Sequence, residues 1–527
     1  SFDAYRWSPD SERIAFWEEN QSQVPIFKLF SESSLYPTIK NIHYPKAGQT
    51  NPTMTIFTSK AKGGGLKKIF SGQRKDIYLP WMEWSSENEL VIMEMDRLQK
   101  NWSFHHLNIK NNKLARGISE SDPDGWVDLH RNYFFLKNGT IIWISEQDGW
   151  HHIYHYKKNG EAIKQITKGK WNVKAINHIN EDNKQIYFVA TKESIFENRF
   201  YSIDFDGNSL KLLTSEEGSH SVTMLPERNM FIDSYSSLTS PVKHVLKDID
   251  GKLIKVLAET DKSQFDVYDW SYPEIVTFKS ADKKMDLDGV ITFPPDYKKN
   301  KKYPVIVYGY GMPGTQIVYN RWGSLWNQYL GQQGYVVFSM DARGMSGRGE
   351  KFKNMSYGDM SKYLSMDTAA GVNYLIKKGI ADPNRIGAWG WSGGGYFTGL
   401  MLTKNADLFD VGVSVAPVMD FRLYDSIYTE RSMGLPSQNK AGYDSTSVLS
   451  YVDRFKGKLL VIHGTGDDNV HSQNLSWLIE EFIKHDKQLD VFYYPDRPHS
   501  MSGGNARKNL YKKMINYFNQ YLKGEID

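Results

Sequence analysis

The chain has 527 residues, 40% hydrophobic and 14% aromatic, with a formal net charge of +4 and no cysteine. That length exceeds one ordinary domain and the apolar content supports two cores, while the missing thiols exclude cysteine catalysis, a cysteine-ligated metal site and disulfides. Basic residues are scattered apart from a short solvated cluster at 299–302, so no nucleic-acid stripe is present, and no apolar stretch reaches the ~18 residues of a membrane span.

Residues 1–270 alternate apolar and polar over short stretches separated by turns such as Ser8-Pro9-Asp10-Ser11, Lys158-Asn159-Gly160, Asp206-Gly207-Asn208 and Asp250-Gly251-Lys252. This pattern predicts many short antiparallel strands. A weak repeat places a polar turn before a strand: Trp7-Ser8-Pro9-Asp10 before Arg13-Ile14-Ala15-Phe16, Trp84-Ser85-Ser86-Glu87 before Leu90-Val91-Ile92, and Asn180-Glu181-Asp182 before Gln185-Ile186-Tyr187-Phe188. Such spacing suits propeller blades, with a β-sandwich as the competing reading. The Gly63-Gly64-Gly65 run lacks the lysine of a phosphate loop, and Glu18 and Glu19 read as solvated carboxylates.

From 271 to 527 the pattern changes. Nearly continuous apolar runs at 305–310, 335–341, 385–391, 411–418, 458–463 and 490–494 are too brief for helices and are bounded by Gly, Pro or Asp, as strands covered on both faces are. Helical spacing marks 364–378, 396–404, 472–484 and 506–523; in the third of these Leu475, Leu478, Ile479, Phe482 and Ile483 share one stripe. This alternation predicts a doubly wound α/β sheet.

Gly390-Trp391-Ser392-Gly393-Gly394 spells G-x-S-x-G between an expected strand and an expected helix. A strand that reverses sharply into a helix needs small residues around a serine whose hydroxyl is pushed out of the turn. An α/β-hydrolase supplies the acid and then the base further along the chain. The loop Gly464-Thr465-Gly466-Asp467-Asp468-Asn469 offers two carboxylates, and the chemistry alone does not choose between Asp467 and Asp468. His499 sits in a loop after the last expected strand; His463, His471 and His485 are nearby alternatives, but loop position and chain order favour His499.

Three longer segments carry a family likeness: Gly390-Trp391-Ser392-x-Gly394-Gly395-Tyr396, His463-Gly464-Thr465-x-Asp467-Asp468-Asn469-Val470-His471 and Tyr428-Thr429-Glu430-Arg431-x-Met433-Gly434-Leu435-Pro436. Tyr5-Arg6-Trp7-Ser8-Pro9-Asp10 and Tyr44-Pro45-Lys46-Ala47-Gly48-x-x-Asn51-Pro52-Thr53 extend it into the amino half. The chain resembles the dipeptidyl peptidase IV family of the prolyl oligopeptidase superfamily over essentially its whole length. The likeness implies part of an eight-bladed β-propeller over 1–270, with a projecting arm near 30–52, followed by an α/β-hydrolase domain over 271–527. It implies Ser392 as nucleophile, Asp467 as acid and His499 as base, with oxyanion donors from the Tyr310 hydroxyl and the Gly393 N–H. Tyr308 is the competing tyrosine for that role. It further implies a proline pocket of Val418, Phe421, Tyr424, Tyr428 and Val470, with Asn469 binding a substrate carbonyl.

The implied activity is release of dipeptides from peptides with a free amino terminus and penultimate Pro or Ala, without metal or cofactor. Tripeptidyl or acylaminoacyl peptidases of the superfamily, or a catalytically silent scaffold, are the alternatives. The arm and the helix around 510–522 imply a homodimer, and the likeness implies a periplasmic or secreted enzyme. Two departures stand out. The family places tyrosine after the nucleophile where this chain has Gly393, so the pocket is expected to be wider, with Phe421 compensating in part. The chain opens with Ser1-Phe2-Asp3 at a point inside the family's propeller, so the amine-binding glutamates and an upstream arginine are expected to lie outside the sequence.

Overall fold

The computed structural model describes residues 4–129 and 133–525; Ser1, Phe2 and Asp3 lie outside them. Residues up to Glu259 form five four-stranded antiparallel sheets. Their twenty strands run in chain order from Tyr5–Trp7 to Leu253–Glu259, four to a sheet.

Alternation along each strand explains how these sheets stack. In the strand Glu89–Asp96, Leu90 and Ile92 pack towards Ala15, Ile56 and Phe70 of the first sheet. Val91 and Met93 point the opposite way, onto Trp143, Tyr154 and Tyr156 of the third. The third sheet repeats the arrangement, with Ile141 and Trp143 facing back and Ile142 and Ile144 facing Ile186 and Phe188 of the fourth. Side chains with a period of two thus cover both faces of each inner sheet, which is the packing of propeller blades. The three turns of the weak repeat all join the first strand of a blade to its second, in blades one, two and four.

The arm differs from expectation. An exposed hairpin pairs Ile26–Ser31 with Thr38–His43, so it begins earlier and ends sooner than 30–52. Residues 44–52 do not project at all: they return to the blade along the surface of the second domain, where the backbone at Lys46 pairs antiparallel with that at Asp425.

The second domain is built on one eight-stranded sheet. Its strands in chain order are β1 (Glu274–Lys279), β2 (Asp286–Thr292), β3 (Tyr303–Tyr308), β4 (Val336–Met340), β5 (Ala381–Trp391), β6 (Val411–Val415), β7 (Lys458–Gly464) and β8 (Asp490–Tyr494), in the spatial order β1-β2-β4-β3-β5-β6-β7-β8. The six strands β3 to β8 are mutually parallel and correspond to the six apolar runs. The antiparallel pair β1 and β2 was not among the expected strands. Two apolar clusters cover the two faces, one around Val305, Val307, Phe397 and Leu400 and the other around Ile306, Trp389, Val413 and Phe518. Leu510 and Leu522 of the carboxyl-terminal helical segment belong to the second cluster and are buried against the sheet.

Every blade is tied to this domain. Beyond the 44–52 segment of blade one, Arg97 of blade two donates to both carboxylate oxygens of Glu430 (2.6 and 2.7 Å). Lys353 reaches Glu146 of blade three (2.7 Å), and Asn320 reaches Glu197 of blade four (2.7 Å). The Asn320 side-chain oxygen also accepts from Leu238 N, in the loop between the second and third strands of blade five (2.9 Å). No helix among the described residues is long and apolar enough to cross a membrane.

Candidate active site

Strand β5 ends at Trp391, and a helix begins at Gly393 and runs to Lys404. Ser392 forms the corner between them with φ 60° and ψ −117°, a left-handed conformation that a serine adopts only under strain. Its N–H donates to Val415 O on the neighbouring strand (2.8 Å), and its carbonyl accepts the helical bond from Tyr396 N (3.0 Å). The flanking glycines are required by crowding. A Cβ at Gly390 or Gly394 would collide with the Gly309 carbonyl oxygen, which runs alongside on β3's exit loop. Because Gly393 opens the helix, its N–H has no intrahelical acceptor and lies where the helix dipole favours negative charge.

The acid and base come from the ends of β7 and β8. His499 Nδ1 lies 2.7 Å from Asp467 Oδ2, which fixes Nδ1 as the donor and leaves Nε2 for the serine side. Asp467 is completely buried, and its other oxygen accepts from Asn469 N (3.0 Å) and Val470 N (2.9 Å). Burial alone would raise its pKa, but His463 and His499 against the carboxylate outweigh that and hold it at about 2. Asp468, by contrast, points to solvent near Lys40 (3.6 Å). Geometry therefore distinguishes two carboxylates that local chemistry left equivalent. His463 is fully buried, and its Nε2 donates to Val470 O (2.8 Å), so it braces the acid loop from below. His471 is also buried, and it stacks on Phe27 of the hairpin at 3.6 Å with the rings 5° apart.

The serine corner and the histidine loop are joined through the main chain: Trp391 Nε1 donates to His499 O (3.0 Å). Among the described residues Ser392 Oγ makes no hydrogen bond to His499; such contacts are commonly loose until substrate binds.

The expected pocket residues pack as one group. Val418, Phe421 and Val470 are buried in the cluster against which Tyr310, Tyr424 and Tyr428 lie half-buried. Phe421 meets Tyr424 edge-on at 6.4 Å, and Tyr424 meets Tyr428 edge-on at 6.0 Å. Burial pushes the Tyr424 and Tyr428 phenols well above their usual range, so both present neutral hydroxyls. The Tyr424 hydroxyl lies 3.4 Å from the Asn469 side-chain oxygen.

Met312 stands beside Gly393. The position a side chain at Gly393 would take is already filled: a Cβ there would overlap Met312 Cγ, reach Met312 Sδ at 3.0 Å and approach Tyr310 Cζ at 3.4 Å. Met312 is almost fully buried. The aromatic wall missing at 393 thus leaves no empty space beside the backbone, since a thioether from the Tyr310 loop occupies it. Met312 was not singled out from sequence, although three successive glycines after the serine were a sign of crowding there.

Two clusters of potential metal ligands occur among the described residues, Asp128 with Glu146 and His151, and Glu216 with His220 and Asp233. Each already holds a lysine ammonium: Lys353 lies 2.7 Å from Glu146 and 3.2 Å from Asp128, and Lys247 lies 2.6 Å from Glu216 and 3.1 Å from Asp233. Both read as ion pairs around a buried lysine. Glu18 and Glu19 are exposed on the first blade.

Comparison with known proteins agrees with this architecture. Residues 1–242 match the dipeptidyl peptidase IV N-terminal region, and residues 322–525 match the prolyl oligopeptidase family. The chain thus carries a prolyl oligopeptidase family domain at 322–525. A dipeptidyl peptidase 4 from Trichophyton equinum is 31% identical over 498 residues, covering 90% of this chain and 64% of that protein. A prolyl endopeptidase FAP from Mus musculus is 28% identical, covering 98% of this chain and 71% of the mouse protein. The crystal structure of Porphyromonas gingivalis dipeptidyl peptidase 4 superimposes with a TM-score of 0.94 at 29% identity, over 98% of this chain and 74% of that one. The chain therefore spans 64% to 74% of the length of these relatives.

Proposed function

We propose that this chain carries the catalytic machinery of a serine exopeptidase that removes dipeptides from peptides with a free amino terminus and Pro or Ala at the second position. The observation that carries the reading is the buried Asp467–His499 pair at 2.7 Å, joined through Trp391 to a serine held at φ 60° on a strand-to-helix corner. In this mechanism Ser392 Oγ attacks the scissile carbonyl while His499 Nε2 takes its proton. The tetrahedral oxyanion accepts hydrogen bonds from Gly393 N–H and the Tyr310 hydroxyl. The C–N bond then breaks as His499 returns the proton to the leaving amine, and water releases the acyl group by the same route. Buried Asp467 stays ionised and stabilises the imidazolium that forms in each half-reaction.

The substrate preference rests on the enclosure formed by Val418, Phe421, Tyr424, Tyr428 and Val470, which offers apolar and aromatic surface to a compact side chain. The names of the relatives, dipeptidyl peptidase 4 above all, support the dipeptide product. Export to the periplasm or medium goes with this reading. So does a homodimer through the hairpin, whose Ile26, Phe30, Leu35, Tyr36 and Ile39 are exposed. Size exclusion with light scattering tests the dimer, and a monomer at micromolar concentration would reject it.

The activity is tested with Gly-Pro, Ala-Ala and amino-blocked chromogenic peptides on the full-length protein and on Ser392→Ala. The expected result is hydrolysis of the two free dipeptidyl substrates by the wild type and none by the variant. Equal hydrolysis by both proteins would remove Ser392 from the mechanism. Preference for the blocked peptide would replace the assignment with an acylaminoacyl peptidase, and preference for a tripeptidyl substrate with a tripeptidyl peptidase.

A further inference from the structure

The segment 44–51, which carries Tyr44-Pro45-Lys46-Ala47-Gly48 and Asn51, belongs by chain to the propeller but makes its polar contacts chiefly with the catalytic domain. Tyr44 Oη donates to Asn469 O (2.8 Å). Pro45 O accepts from Ser426 N (2.9 Å), and Ala47 N donates to Tyr424 O (3.0 Å). Gly48 N donates to Glu430 Oε1 (2.7 Å), and the Asn51 side-chain oxygen accepts from Ser426 Oγ (2.5 Å). Lys46 Nζ contacts Gln473 Oε1 at the start of the next helix.

These bonds fall on two stretches of the site. One is 424–430, which presents Tyr424 and Tyr428 to the pocket and is gripped at Tyr424, Ser426 and Glu430. The other is the acid loop, where Asn469 is held at both ends of its backbone, by Tyr44 at the carbonyl and by Asp467 at the N–H. Tyr44 also packs its ring edge-on to His471 at 4.3 Å. Burial raises its phenol far above the usual range, so it is a proton donor at every working pH.

We propose that segment 44–51 is a positioning clasp for the reaction: through Asn469, Tyr44 sets the acid loop that orients His499, and through Tyr424 and Ser426 the same segment sets the proline pocket. None of its residues touches the reacting atoms. The kinetic part of this inference rests on the serine peptidase reading, whereas the structural part does not. The consequence is that the substrate preference of the hydrolase domain is partly written in the propeller, in a stretch that continues directly from the exposed hairpin.

The test is Tyr44→Phe in the full-length protein, which deletes one hydroxyl and keeps the ring. Two readouts are taken. Hydrogen–deuterium exchange of the Asn469 and Val470 amides, both donors to Asp467, is expected to accelerate about tenfold, as loss of one buried hydrogen bond would give. Steady-state kinetics, normalised to sites titrated with a fluorophosphonate, are expected to show about tenfold lower kcat/KM for a Gly-Pro substrate and a narrower Pro-to-Ala preference. Ser426→Ala, which releases the other end of the clasp, is expected to narrow that preference and leave the Asn469 amide protected. A lower unfolding temperature for both variants, with unchanged exchange at 469–470 and unchanged kinetics per titrated site, would overturn the clasp and leave only domain adhesion. If the wild type cleaves none of the substrates, the peptidase reading falls, and amide exchange alone decides the clasp.

Discussion

The exchange of an aromatic wall for a buried thioether makes a quantitative prediction at Gly393. In Gly393→Ala the new methyl overlaps Met312 Cγ and sits 3.0 Å from Sδ, so Met312 must leave a nearly closed site. Overpacking of this kind costs about 1–3 kcal/mol. Met312→Ala alone empties the same volume and costs about 2–5 kcal/mol as a buried large-to-small change. In the double variant the collision is absent and the methyl fills part of the vacated space. The two single effects should therefore overshoot the double by about the full overpacking cost, ~1–3 kcal/mol. The assay is urea unfolding followed by tryptophan fluorescence, with kcat/KM for a Gly-Pro substrate measured in parallel. Activity should fall in Gly393→Ala, because the displaced thioether and the new methyl crowd Tyr310, and should recover in the double variant. Single effects that add to within about 0.5 kcal/mol would show that the two residues do not share this space and refute the argument.

Four further outcomes follow from the site and its surroundings. Asp467→Asn should lower kcat roughly ten-thousand-fold by spoiling the histidine tautomer, whereas Asp468→Asn, on an exposed residue, should stay within about twofold; steady-state kinetics separate them. Tyr310→Phe should lower kcat by about 10²–10³ with little change in KM, as loss of one oxyanion donor does. Asp467 has a folded pKa of about 2, below its unfolded value, so its stabilisation is present above about pH 4 and is lost as pH falls towards 2. Asp341 behaves oppositely: burial raises it to about 7 against the opposing bonds from Ile317 N and Val318 N. Its contribution is full below about pH 4 and is lost as pH rises through 7, so Asp341→Asn should flatten the pH dependence of urea midpoints between those values.

What was legible in the sequence was whatever local chemistry dictates. The serine corner could be read because only small residues tolerate its backbone crowding, and the parallel strands because burial on both faces leaves unbroken apolar runs. The blade turns at Trp7-Ser8 and Trp84-Ser85 were visible because they recur at the same point of the blade. Strands β1 and β2 were hidden, since their short apolar stretches are bounded by Glu274, Lys279 and Asp286 and broken by Asp288 at the edge of the sheet. The arm's limits were misread for a related reason: its hairpin exposes its apolar residues, so no buried face shows in the pattern. The choice between Asp467 and Asp468 depends on which neighbour turns inward, and the filling of Gly393's space by Met312 joins residues far apart in the chain; neither is a local property.

The ties from the hydrolase domain to all five blades have a mechanical consequence. A stack held only by contacts between neighbours has no hub, and its curvature drifts with each interface. Here Glu430, Lys353 and Asn320 reach three successive blades from one domain, so the splay of those blades is linked to the placement of the loops at 312–322 and 424–430. A shift of those blades relative to one another would therefore be felt at the two loops that carry Asn320 and Glu430.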